Sequence, residues 1–138
     1  MIYVVIQFGA IFFLIGNAQL NNFNIISTTL LILSLLIGLI ALVNMKISNL
    51  NITPTLKEGH QLITVGIYGY IRHPMYTSVM LACLGLLLTN ITLVSQIVML
   101  ILIIDLFLKS NLEEKLLSKR FNHYKNYQKK TGKFLPFI

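Results

Sequence analysis

The sequence predicts an all-α integral membrane helical bundle of about four transmembrane helices, with a polar loop and a C-terminal helical tail at one membrane face. Three observations predict it. Hydrophobic residues make up 56% of the 138 positions and charged residues 11%, roughly half the charged share of an ordinary soluble domain. The apolar residues fall in four runs, 2–20, 25–45, 75–88 and 91–108. All eleven Lys and Arg residues lie between Lys46 and Lys133 and none falls inside those runs.

The first two runs each justify a spanning helix, because about 20 residues cross a 30 Å hydrocarbon core. A cleaved signal sequence is the competing reading of 2–20, which lacks a basic start and a small-residue cleavage site. The third run is expected to extend backwards through Tyr70 and His73, and the fourth forwards past Asp105, so that both reach the headgroup layer. Residues 17–24 and 89–90 are short, uncharged and contain Asn, which suits tight turns between antiparallel helices. Gly9, Gly16 and Gly38 are expected to let helices approach closely. Cys83 is expected to be a small buried packing residue.

The remaining stretches, 46–72 and 109–138, hold every basic residue and three of the four acidic ones. The positive-inside rule then places both in the cytosol. Each is longer than a bundle turn, so function is expected there. Residues 111–128 carry Leu, Phe and Lys at helical spacing, as a helix continuing from or bent off the fourth span. Thr131-Gly132 ends it, and Phe134-Leu135-Pro136-Phe137 is apolar enough to return to the membrane surface. The chain reads as one domain, 1–138, with two N-terminal helices over 1–45 and a core over 46–138.

The net charge is 11 − 4 = +7, and the stretch from Lys109 onward contributes 8 − 2 = +6. Beside an anionic leaflet each basic group is worth about 1 kcal/mol, so the charge reads as adhesion to the bilayer and not as nucleic-acid binding. One cysteine excludes an intrachain disulfide and a multi-cysteine zinc site. His60 and His123 stand alone without metal-ligand spacing, and no metal is expected. The chain has no phosphate-binding Gly-rich loop and no Gly-x-Ser-x-Gly elbow.

Two clusters could carry chemistry. The first is Gly66-Ile67-Tyr68-Gly69-Tyr70-Ile71-Arg72-His73-Pro74-Met75-Tyr76. Pro74 suits the first turn of a helix, and a helix start beside Arg72 attracts anions. The same residue types also serve as an interfacial belt, and the residues alone leave both readings open. The second cluster is Lys109, Glu113, Glu114, Lys115, Lys119 and Arg120. Asp105, Lys109 and Glu113 share one helix face. Asp105 stands inside an apolar run, where an acid is costly and usually faces the interior or water; it is expected to reach the interface and pair with Lys109.

These clusters, in this order, resemble a known pattern. His60-Gln61-Leu62-Ile63-Thr64-Val65-Gly66-Ile67-Tyr68 and Arg72-His73-Pro74-Met75-Tyr76 look like the signature of the isoprenylcysteine carboxyl methyltransferases and their phospholipid N-methyltransferase relatives. Glu113-Glu114, Leu117, Phe121, Tyr124, Tyr127 and Leu135-Pro136-Phe137 resemble that family's tail. The resemblance covers roughly 44–138. It implies S-adenosylmethionine as cofactor, bound by His60, Gln61, Leu62, Ile63, Tyr68, His73, Pro74, Met75, Tyr76 and Glu113. It places Arg72, Glu113 and Glu114 at the reacting end and Lys109 on the side of a lipophilic acceptor. The family more often has Arg at the Lys109 position, and Phe121-Asn122-His123-Tyr124 is one residue shorter than its usual Phe-Gly-x-x-Tyr, which shifts the register of Glu113 against Glu114 by up to one position.

The implied activity is methyl transfer to an isoprenylcysteine-like carboxylate, a phospholipid amine or another small hydrophobic compound, in a prokaryotic plasma membrane. A carboxylate acceptor needs no general base, whereas an amine or phenol must lose a proton. Two alternatives stand beside it: an NADPH-dependent membrane reductase related to the sterol reductases, and a non-enzymatic accessory subunit. The acceptor and the oligomeric state are not written in the sequence.

Overall fold

The structure, a computed structural model, describes residues 1–45, 59 and 61–138. It is all-helical: α1 (Ile2–Asn17), α2 (Ile25–Met45), α3 (Pro74–Leu87), α4 (Leu93–Arg120) and α5 (Tyr124–Lys130), with 3-10 turns at Leu20–Asn22 and Gly66–Gly69. His60 lies outside the described residues.

Among the described residues two helices, α2 and α4, are long and apolar enough to cross a membrane. The other two apolar runs form shorter helices, of 16 residues in α1 and 14 in α3, which at about 1.5 Å per residue fall short of a 30 Å core. The expected backward extension of α3 does not occur. Pro74 stands in its first turn, and His73 before it has non-helical backbone angles, because a residue preceding proline is pushed away from the α region. Helix α4 does run past Asp105. It opens with a capping box in which Thr92 Oγ1 accepts from Ser95 N–H at 3.1 Å and Ser95 Oγ accepts from Thr92 N–H at 2.9 Å. The helix expected over 111–128 is divided: Phe121 is extended, and α5 starts at Tyr124.

Helix α3 packs against α1, α2 and α4, and α4 packs against α1. The α2–α3 seam is polar and close. Ser34 Oγ donates to the Ser78 carbonyl and Ser78 Oγ to the Ser34 carbonyl, both at 2.8 Å. A Cβ on Gly38 would stand 2.8 Å from Ser78 Oγ, and one on Gly85 3.0 Å from the Ser27 carbonyl, the small-residue contact by which helices associate in lipid. Gly9 and Gly16 do not share this role, since a Cβ on either meets nothing within 4 Å; they lie on faces of α1 away from its neighbours. At the far end the two turns clasp each other. Asn90 Nδ2 donates to the Asn17 carbonyl at 2.9 Å, Gln19 N–H to Thr89 Oγ1 at 3.1 Å, and Asn22 Nδ2 to the Thr89 carbonyl at 3.1 Å.

The buried apolar cluster is small: Ala10 and Leu14 of α1, Cys83 and Leu87 of α3, and Met99, Leu102 and Leu106 of α4. Large apolar side chains cover the outside instead, among them Phe12, Ile32, Leu35, Val43, Leu100 and Ile104. Only 17% of the apolar window of α2 is buried, which is not how a soluble core helix sits. A soluble monomer rarely exposes more than a few hundred Å² of continuous apolar surface. Lipid is the solvent for this face, and the helices satisfy their own backbone groups within it.

The C-terminal segment closes onto the start of α3. Gly132 N–H donates to the Tyr70 carbonyl at 2.9 Å, Arg72 N–H to the Gly132 carbonyl at 2.8 Å, and His73 N–H to the Lys133 carbonyl at 3.0 Å. Phe134 packs on the rings of His73 and Phe107, and Thr77 Oγ1 donates to its carbonyl at 2.6 Å. Of the apolar tail residues, Phe134 is therefore absorbed by the bundle, while Leu135 and Phe137 stay exposed.

Candidate active site

The first sequence cluster sits at the start of α3 and the second in the C-terminal half of α4, and the two helices bring them face to face. Pro74 fixes where α3 begins, so His73 and Tyr76 straddle its first turn. Helix α4 carries Lys109, Glu113 and Glu114 beyond its apolar part. Tyr76 Oη donates to Glu113 Oε1 at 2.5 Å. The His73 imidazole stands between the two carboxylates, with Nδ1 3.6 Å from Glu113 Oε2 and Nε2 3.0 Å from Glu114 Oε1. It lies parallel to the Tyr76 ring, centroids 5.4 Å apart.

Glu114 is committed to the protein. Arg72 Nε donates to its Oε1 at 2.8 Å, Gln128 Nε2 to its Oε2 at 3.0 Å, and Lys133 Nζ lies 3.9 Å away. Arg72 is equally engaged, because its Nη1 also donates to the backbone carbonyls of Gln128 and Thr131. The guanidinium thus ties α4, the end of α5 and the tail together, a task for which its rigid fork is suited. The amides of Arg72 and His73, just before α3, are likewise taken by tail carbonyls, and those of Tyr76 and Thr77 in its first turn by the His73 carbonyl.

Beside this network lies a shallow, open-sided cleft. One wall is Gln61, Leu62, Ile63 and Tyr68; the other is Leu117 of α4 with Tyr124 and Tyr127 of α5. Arg72 borders both the cleft and the carboxylate network. His73, Pro74, Met75, Tyr76 and Glu113 do not line the cleft. The Tyr68 phenol oxygen is buried without a hydrogen-bond partner among the described residues. Burial, with smaller contributions from Tyr127 and Glu113, pushes its pKa well above the ordinary phenol value, so it stays neutral. Tyr127 donates to the Tyr68 carbonyl at 2.6 Å, and burial raises its phenol to about 12.

The sequence profile of the phospholipid methyltransferase family matches residues 23–124, well over half the chain. The chain belongs to the phospholipid methyltransferase family. It is therefore a membrane methyltransferase by family, and every described site residue expected from the sequence lies inside the matched segment. No curated protein matches the chain. Parts of this family member's site come from outside the match: Tyr127 of the cleft wall, the Gln128 side chain, the tail carbonyls that hold Arg72 and His73, and Gln7 of α1, which accepts from Lys109 Nζ at 2.9 Å.

Lys109 departs from the expected pairing with Asp105. Its ammonium turns to Gln7 and lies 5.1 Å from the centroid of the Tyr76 ring. Asp105 does not reach the interface; it is 4% exposed and faces the bundle interior. The reason is rotational. Both residues lie on the α4 face that packs on α1 and α3, so neither side chain has a free path to water. Gln7 and Gln128 were not found by sequence reasoning, since neutral amides carry no charge signal; the only hint of Gln7 is an amide set between apolar neighbours in the first run.

Proposed function

We propose that this family member is an S-adenosylmethionine-dependent methyltransferase acting on a lipophilic acceptor, with the charged end of the bundle on the cytosolic face of a prokaryotic plasma membrane. The observation that carries the reading is the joining of Tyr76, His73, Glu113 and Glu114 in one network that Arg72 connects to an aromatic cleft. The residues present suit such a cofactor. Leu62 and Ile63 offer apolar surface to an adenine, and the faces of Tyr68, Tyr124 and Tyr127 offer π-density to a cation. The buried, unpartnered Tyr68 hydroxyl awaits a polar contact in the cleft wall. Glu113 is held from the protein side by Tyr76 and His73, which leaves it as the carboxylate able to take an ammonium, whereas Glu114 is spent on Arg72 and Gln128.

When bound, the cofactor supplies an already activated methyl group. The chain's own contribution is to align donor and acceptor and to exclude water. Arg72 does so indirectly, by fixing the tail across the start of α3. Lys109, held at the boundary between the charged end and the lipid-facing bundle, is the residue assigned to the acceptor side.

Cofactor binding tests the reading. S-adenosylhomocysteine should raise the thermal midpoint of the detergent-solubilised protein and NADPH should not, and a radiolabelled methyl donor should label a component of total membrane lipid. Stabilisation by NADPH alone would favour the reductase, and stabilisation by neither, without label transfer, would favour an accessory subunit.

A further inference from the structure

Asp105, Lys109 and Gln7 form a polar group inside the apolar part of the bundle, one helical turn from the carboxylate network. All three are at least nine-tenths buried, at 4%, 2% and 9% exposure. Lys109 is accounted for by Gln7 and by the Tyr76 ring, which in turn donates to Glu113. Asp105 is not: neither carboxyl oxygen has a hydrogen-bond partner among the described residues. An acid in a membrane helix is costly, and such residues mark substrate or ion paths more often than packing. An unpaired buried acceptor adds to that cost. Lys109, a single turn away, could have met it and is instead held off by α1.

We propose that Asp105 is the specificity-determining residue of an intramembrane acceptor subsite, which takes a head group that donates an N–H or O–H, and that Gln7 is a positioning residue keeping Lys109 away from Asp105. A carboxylate or phosphate head would be repelled by Asp105 and would leave it unpaired. A neutral donor satisfies it while Lys109 keeps the charge of the pocket balanced. The subsite is walled by α1, outside the segment that matches the family. The proposal rests on the methyltransferase reading and assigns no bond-making step to Asp105.

The test uses the full chain in detergent micelles, with S-adenosylhomocysteine binding read separately from label transfer to total membrane lipid. Asp105→Asn should raise the apparent KM for lipid by about tenfold or more, the loss expected for a hydrogen bond to a charged group, and leave S-adenosylhomocysteine affinity unchanged. Gln7→Leu should move KM in the same direction, because it frees Lys109 to capture Asp105. On the wild type, which needs no variant to fold, dodecanamide and dodecanol should compete with lipid while dodecanoate should not. Equal competition by all three, or a lipid KM within twofold of wild type in a folded Asp105→Asn protein, overturns the proposal. Absence of S-adenosylhomocysteine binding and of label transfer in the wild type overturns the methyltransferase reading, and the proposal with it.

Discussion

Arg72 shows how one side chain can organise a site without lying at its centre. It donates to Glu114 and to two backbone carbonyls of the tail, all on the protein side. Lysine presents a single point charge and cannot serve those acceptors together, so Arg72→Lys should leave at least one buried acceptor unpaired, costing about 1–3 kcal/mol. Thermal unfolding in detergent should show a lower midpoint for Arg72→Lys and no change for the exposed Lys129→Arg; equal midpoints would mean the fork is dispensable. The charged and aromatic members of this network were legible in the sequence because they cluster where apolar runs end. Gln7 was not, and neither were the carbonyls of Gln128, Thr131 and Gly132, since a backbone acceptor has no letter of its own.

At the scale of elements, the closure of the tail depends on Gly132. A Cβ there would collide with the Leu135 carbonyl and with the backbone of Ile138, atoms that cannot move without opening the turn. Gly132→Ala should therefore release the tail and loosen the parallel pairing of Ile71 with Gly132. Limited proteolysis in detergent should then cut near 130–138 faster than in wild type, and an unchanged cleavage rate would show that the turn absorbs the methyl group. The sequence foretold the order of helices well, because apolar runs and Asn-rich turns are strong signals. It overstated the length of α3. Tyr70 and Ile71 lie just beyond Arg72 and His73, but Pro74 fixes the helix start, and the tail captures the amides just before it.

For the molecule as a whole, charge and topology make one prediction together. The turns at Leu20–Asn22 and after α3 are free of charge, whereas the opposite end carries the basic tail. The positive-inside rule then sets the orientation. In a Cys83→Ser background, a membrane-impermeant maleimide should label Asn21→Cys on intact cells and Asn126→Cys only after lysis; the reverse pattern would invert the assignment of faces. The all-α membrane class was readable from composition because few soluble folds tolerate so little charge. What composition could not show is that polar groups share the interior with a small apolar core while large apolar side chains face outward, with Gln7, Asp105 and Lys109 inside and Phe12, Leu35 and Ile104 outside.

The clasp between Asn17, Gln19, Asn22, Thr89 and Asn90 has a mechanical consequence. It pins both helical hairpins at the end farthest from the chemistry, while the links of Arg72, His73 and Tyr76 to Glu113 and Glu114 fasten α3 to α4 at the other. A 20-residue helix spans about 30 Å, and one held at both ends cannot tilt without breaking one of the two fastenings.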